Sequence, residues 1–248
     1  LANAAGAIVG MVEAGAALPR PERPAVGMTI YGNTTPAGMR AKGILEERGY
    51  EVMAFHPNGT GGAAMEELIQ QGFFKAILDL STHELTDHLV GGDHAGRENR
   101  LTVAGAHGLP QVVLPGGIDF IITGPPEAIP QELRGRAYVQ HSVYMCLVRT
   151  SREEMAEVGR RTARKLNKAL GPAKVIVPLR GFSYQGARGR PLHDTPSDMA
   201  YLEALREHLS PAIELIELDH NINDPPVAER ACEELLAMMR RAPERKDA

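Results

Sequence analysis

The chain contains no tryptophan, aromatic residues make up only 4% of it, and it has two cysteines, Cys146 and Cys232. So few aromatics leave few of the anchors that dominate protein–protein hot spots, which ranks a pure interaction module below a ligand-binding or catalytic domain. The cysteines stand far apart with no CxxC or Cys/His spacing. Neither a disulfide framework nor a zinc site is therefore suggested, and each reads as a small buried apolar residue of a reducing compartment. Neither sign of charge dominates: 27 basic residues against 31 acidic give a formal net charge of -4. With no basic stripe to neutralise a phosphate backbone, nucleic acid is not an expected partner. No apolar run reaches the roughly 20 residues that span a bilayer, and residues 1–20 lack the basic start and cleavage site of a secretory signal. The chain reads as soluble and cytoplasmic, without a membrane partner. GxSxG, HExxH, GxGxxG and the Gly-Lys-Ser/Thr phosphate loop are all missing. Nucleophilic hydrolysis thus has no motif behind it, although an unpatterned set such as Ser183, His193 and Asp194 stays open.

What is present is material for a core: 43% of the 248 residues are hydrophobic, enough for one large α/β domain or two small ones. Residues 1–18 have helix-like apolar spacing at Ile8, Val9, Met11 and Val12, and Pro19, Pro21 and Pro24 then break any helix. Residues 1–24 are expected to be a linking helix and Pro-rich linker from a missing N-terminal domain, and 25–248 the α/β domain. Short β-like runs at 25–31, 51–55, 76–80 and 111–114 alternate with helical stretches at 36–48, from about 62, at 85–90 and at 98–107. That rhythm predicts a doubly wound, mostly parallel sheet with helices on both faces, a Rossmann-like three-layer fold. The second half repeats it, with runs at 142–148, 174–179 and 213–218 and helices at 152–170, 198–209 and 226–240. Ser151 with Glu154 forms a capping box. The Gly- and Pro-rich segment 115–140 is too long for a routine connection and reads as a binding loop or a crossover between halves.

Ligands of such sheets lie beyond the carboxyl ends of the strands, so the loops there carry the functional candidates. Asn33, Thr34 and Thr35 precede a helix whose first amides could face an anion. His56 and the run Gly59, Thr60, Gly61, Gly62 enter the next helix; glycines let backbone amides approach phosphate or carboxylate oxygens, although a plain turn and cap fits equally well. On this reading Gly61→Val is expected to abolish anion binding and keep the fold. Ser81, Thr82, His83 and Glu84 follow the third strand, with Asp87, His88 and His94 soon after; histidines and carboxylates crowded this densely could bind a metal or move protons, although Asp87, His88 and His94 read more readily as a solvated helix face and a turn. Gly116, Gly117 and Asp119 follow the fourth; Asp119 could accept ribose hydroxyls or, with Glu84, help to hold a cation such as Mg2+. Arg180, Phe182 and Ser183 offer charge, a flat stacking surface and a hydroxyl, with Arg180 paired to a structural carboxylate as the rival reading.

The blocks TIYGNTTP, FHPNGTGGAAMEELI, LDLSTHELTDHLVGG, QVVLPGGIDF, LNKALGPAKVIVPLRGFS and LDHNINDP, in that order, resemble the C-terminal part of the family typified by the tomato mosaic virus resistance protein. The resemblance implies a second α/β domain following an N-terminal α/β domain and a linking helix, nucleotide binding and dimer formation, with the 59–62 and 116–117 loops as the family's glycine-rich blocks. Two functional expectations follow. One is a domain that binds ATP or another phosphate ligand, with Mg2+, as half of a two-domain, homo-oligomeric protein. The alternative is an enzyme acting on a small phosphorylated or carboxylated metabolite, with His56, His83 or His193, beside Asp194, as acid/base.

Overall fold

The computed structural model describes residues 1–15 and 20–241; Pro19 and its neighbours 16–18 in the expected linker lie outside them. Helix α1, Ala2–Ala14, buries none of its residues and ends on Gly15 in the left-handed conformation. From Ala25 onward strands and helices alternate in the expected order: β1 (Ala25–Thr29), α2 (Thr35–Glu47), β2 (Glu51–Phe55), α3 (Thr60–Gln70), β3 (Ala76–Asp79), α4 (Glu84–Val90), α5 (Val103–Ala106) and β4 (Gln111–Val113), although the helix expected over 98–107 is confined to the four residues of α5, with turns before it.

Between Val113 and α6 (Arg152–Leu166) the path departs from expectation. Residues 120–149 hold three strands, β5 (Phe120–Thr123), β6 (Tyr138–Ser142) and β7 (Met145–Arg149), which pair antiparallel in the order β5-β7-β6 as a sheet of their own. The run at 142–148 therefore belongs to this second sheet and not to the parallel one. A short apolar run looks alike in both settings; the difference is that Ser142 and Met145 face each other across a tight hairpin, which only antiparallel strands allow. Strands β8 (Ala173–Pro178) and β9 (Glu214–Leu218), with α7 (Thr195–His208) and α8 (Pro225–Arg241), complete the chain.

The main sheet has six strands in the order β2-β1-β3-β4-β8-β9, every neighbouring pair parallel. Side chains alternate between its faces. Val26, Met28, Leu78, Val112 and Ile176 pack with Ala41 and Leu45 of α2 and Val227, Ala231 and Leu235 of α8. On the opposite face Val113, Val175 and Val177 pack with α6 and α7 through Met155, Val158, Tyr201 and Leu205, and Ile77 packs with Met65 and Ile69 of α3. Each such side chain contributes about 1.5–3 kcal/mol by leaving water. Helix α6 starts on the expected capping box, with the Ser151 hydroxyl accepting from the Glu154 amide and the Glu154 carboxylate from the Ser151 amide.

Because β2 and β3 flank β1 on opposite sides, the winding reverses at β1, and the region beyond the carboxyl ends of β1 and β3 is where doubly wound folds place ligands. The second sheet backs it: Phe120, Ile122 and Leu147 pack with Tyr31 and Leu192.

Candidate functional site at the winding reversal

Two residues beyond β1, Tyr31 is nearly buried and stacks on two imidazoles, His56 at 4.8 Å between ring centroids and His83 at 4.7 Å. Its hydroxyl lies 2.7 Å from His94 Nδ1. Burial, reinforced by the negative charges of Asp87 and Glu84, pushes the Tyr31 phenol well above its ordinary range, so it keeps its proton. His83 is fully buried at the entrance to α4. Its Nδ1 is 2.6 Å from the Gly117 carbonyl, which can only accept, so Nδ1 carries the hydrogen. Its Nε2 lies 3.3 Å from Asp87 Oδ2, close enough for charges to interact yet without the alignment of a hydrogen bond. Burial opposes charge on His83, but the Asp87 carboxylate outweighs it and the ring's proton affinity is raised. Asp87, one helical turn after His83, is held by main-chain donors, the Ile122 amide at 3.2 Å and the His94 amide at 2.9 Å. His94 is half-buried, and burial, aided by the charge of His83, lowers its proton affinity. His56 is exposed at the mouth, with Nδ1 3.2 Å from the Ile30 carbonyl.

Beneath the rings runs a buried ionic network. Arg100 donates to both oxygens of Asp79, at 2.5 and 2.7 Å, and through Nε to Glu84 Oε2 at 2.6 Å. Thr29 donates to Asp79, the Ser81 amide donates to Thr29, and the Ser81 hydroxyl meets that of Thr34 at 2.7 Å. Glu84 Oε1 accepts from the amides of Gly59 and Gly62 at 2.7 and 3.2 Å. The amides expected to receive a ligand's anion thus already hold a carboxylate of the chain itself. Gly61 is needed for a different reason than expected, since a Cβ there would lie 1.9 Å from the His56 carbonyl oxygen; Gly61→Val would disturb the turn that presents His56. Both oxygens of Glu84 are engaged and the side chain is fully buried, so it does not fit the hydrated, octahedral coordination that Mg2+ demands. The Thr60 hydroxyl donates to the Asn58 side chain, and Thr35 donates to the Gly32 carbonyl.

Gly116 and Gly117 serve the rings: a Cβ at Gly116 would meet the Leu80 carbonyl at 2.3 Å, and Gly117, at φ 73°, presents its carbonyl to His83. Thr82 ties the same segments by donating to the Leu114 carbonyl. Asp119 is also fully buried; Oδ2 accepts from Ser183 at 2.7 Å while Oδ1 has no partner. Burial pushes its carboxyl up despite nearby Arg149, so this group too is ill-suited to share a hydrated Mg2+ or to reach a ribose. Ser183, His193 and Asp194 do not join into a relay: Ser183 serves Asp119, His193 Nδ1 meets the Gly186 carbonyl, and Asp194 caps α7 through Ser197. Arg180 pairs with Asp219 through two bonds of 2.7 and 2.5 Å, as the rival reading had it, and Phe182 is a core residue of the α6/α7 face rather than a stacking surface. Asn33, just before α2, accepts from the Tyr184 amide and Asn223 side chain through its main-chain oxygen.

Residues 23–239 match the model of the Uncharacterised protein family (UPF0261) C-terminal domain. The chain belongs to this family. It is 39% identical over 240 residues to a UPF0261 protein of Clostridium tetani, covering 96% of this chain and 59% of that one. A Brucella melitensis member is 34% identical over 93% of this chain and 55% of its own length. The ToMV resistance protein Tm-1(GCR237) of Solanum lycopersicum is 33% identical over 82% of this chain and 27% of its own. The chain thus spans little more than half the length of the bacterial relatives. A LacI family transcriptional regulator from Lactobacillus casei, solved with bound sucrose, aligns over 91% of this chain and 95% of its own at 13% identity and a TM-score of 0.36, too loose a likeness to bear on function.

In this UPF0261 domain the strand ends at the winding reversal bring together His56, His83, Ser81 and Thr34 from the expected set, and add Tyr31, Asp87, His94 and Arg100, with His56 exposed and His83, Asp87 and Arg100 buried. Tyr31 is hidden in sequence as the apparent last residue of a strand. The signal for Asp87 was its spacing: His83 and Asp87 stand four apart, on one face of a helix. His94 carried no such signal, since it lies in the unpatterned stretch 91–102 between α4 and α5. Among the described residues no helix is long and apolar enough to cross a membrane.

Proposed function

We propose that the crevice beyond β1 and β3 binds a small phosphorylated or carboxylated metabolite and exchanges a proton with it, the domain being the acid–base half of a two-domain enzyme. The observation that carries this is the pair of imidazoles on Tyr31. His56 and His83 each have Nδ1 tied to a main-chain carbonyl, of Ile30 and Gly117, which fixes the tautomer and leaves Nε2 to act. His56, at the mouth, is the group that meets the ligand; His83 lies below. The rest of the relatives' length supplies the opposite wall, and the protein is cytoplasmic and self-associating, its mass to be measured by light scattering.

A nucleotide such as ATP is the second reading. It is favoured by the N-terminus of α2, where doubly wound folds place phosphate, and by the nearly buried Asn33, whose carboxamide has no hydrogen bond among the described residues. The test is a thermal-shift screen of the chain against nucleotides, sugar phosphates and small dicarboxylates; a ligand at 100 times its dissociation constant adds about 2.7 kcal/mol. A metabolite hit should then exchange a carbon-bound hydrogen with D2O, and His56→Gln should slow that exchange at least tenfold with little loss of binding. A shift with ATP alone would transfer the assignment to the second reading, and undiminished exchange in the variant would remove His56 from it.

A further inference from the structure

Three donors close beneath the mouth have an arrangement that proton transfer does not require. His83, Asp87 and His94 each offer one ligand atom, all within 4.8 Å of one another. They come from two pieces of chain, the turn and first helical turn of α4 and the loop that follows it, and Gly91, at φ 90°, lets that loop fold back. A Cβ at Gly92 would lie 2.3 Å from Asp87 Cγ, so only glycine allows the loop to lie so close to the carboxylate. Each donor is held from behind. The His83 Nδ1–H donates to the Gly117 carbonyl, Asp87 accepts from the amides of Ile122 and His94, and His94 Nδ1 meets the Tyr31 hydroxyl. Metal-binding histidines almost always have such a partner on the other ring nitrogen, which fixes the tautomer and raises ligand basicity.

A second, independent observation points at a missing occupant. His83 Nε2 is fully buried with no aligned hydrogen-bond partner, and its one polar neighbour across the gap is the Asp87 carboxylate at 3.3 Å, so the two groups face a space that one shared cation would satisfy.

We propose that His83, Asp87 and His94 bind a divalent transition metal ion. Two imidazoles and one carboxylate suit zinc, iron(II), manganese or cobalt better than Mg2+ or Ca2+, which prefer all-oxygen ligands. Three protein donors fill fewer positions than such an ion takes, as in metal sites that act on a ligand rather than brace a fold. The inference takes the crevice to be the working site, as above, and names the group that would polarise the metabolite's oxygens while His56 handles the proton.

The probe is Co2+, followed by Zn2+, added to the chelator-stripped chain. Expected are visible d–d bands, one ion per chain, and competition by Zn2+. His94→Ala removes a half-exposed donor from a loop and should leave the circular dichroism spectrum intact while weakening Co2+ binding more than about 100-fold; Tyr31→Phe, which removes only the partner behind His94, should cost about 10- to 100-fold. His141→Ala, on the exposed face of β6, controls for surface binding and should change nothing. No d–d bands, or equal affinity in wild type, His94→Ala and Asp87→Asn, would overturn the metal site. Metal binding without any metabolite shift would leave this inference standing and count against the enzymatic reading; a metabolite shift without metal binding would do the reverse.

Discussion

At Gly62 one added carbon would land inside an ion pair: its Cβ would lie 2.0 Å from Glu84 Oε2 and 2.7 Å from Arg100 Nε. Gly62 is the third residue of α3, and in an open helix Gly→Ala would stabilise by about 0.5–1 kcal/mol. Here the opposite is expected. Displacing Glu84 leaves Arg100 with one of its two buried partners, and breaking a buried pair costs about 3–5 kcal/mol. Urea unfolding of Gly62→Ala should therefore show a lower midpoint; a midpoint at or above wild type would mean that Glu84 and Arg100 can part without loss. Leu101 belongs to the same knot. It is the one non-glycine at positive φ among the described residues, at 74°, and its amide donates to Glu66 at 2.7 Å, so the carboxylate on α3 anchors a backbone conformation that leucine disfavours.

Helix α3 shows how an element can be read rightly in kind and wrongly in detail. Glycines ahead of a helix did mark amides that need an anion, since the first turn of any helix leaves its N–H groups unpaired. The anion is Glu84, 25 residues from Gly59 and 22 from Gly62, and no local pattern identifies which carboxylate will arrive from so far along the chain. Glu84→Ala should vacate that cradle: the variant is expected to lose about 3–5 kcal/mol, and sulfate or phosphate should raise its melting temperature more than that of wild type. Equal responses would show that the vacated amides do not hold an anion. The same limit applies to strands. The parallel strands were legible because long buried apolar runs alternate with amphipathic helices, whereas β5 and β7, buried on both faces, look like members of that sheet until the tight hairpin and the Ile122 contact with Asp87 are seen. The polar strand ends could be found from order alone, but which of them converge depends on the second sheet, whose pairing no period encodes.

For the molecule as a whole, stability should depend on pH through carboxylates that burial keeps protonated. Burial, only partly offset by Arg100, raises Glu66 from its ordinary value near 4.5 to about 7. Asp198, beside Arg149, is pushed up for the same reason. A carboxyl with a raised value binds its proton more tightly folded than unfolded, so its contribution is full below about 4.5 and declines as pH rises through about 7. Glu66→Gln removes this dependence: relative to wild type it should gain up to ~3 kcal/mol across that window, measured as the difference in unfolding free energy at pH 5 and pH 8. A constant difference between the two proteins would show that Glu66 titrates normally.

Helix α8 is the last described element in chain order, yet it lies against α2 and over the middle of the sheet, where Val227, Ala231 and Leu235 close the core begun by Val26, Met28 and Leu45. Contacts of such long sequence separation are slow to form. During synthesis, at about 5–20 residues per second, the strands and α2 leave the ribosome before Pro225 does, with that apolar face open. Until α8 emerges that face stays uncovered, and a chain cut before Pro225 should regain protease resistance when the α8 peptide is supplied in trans.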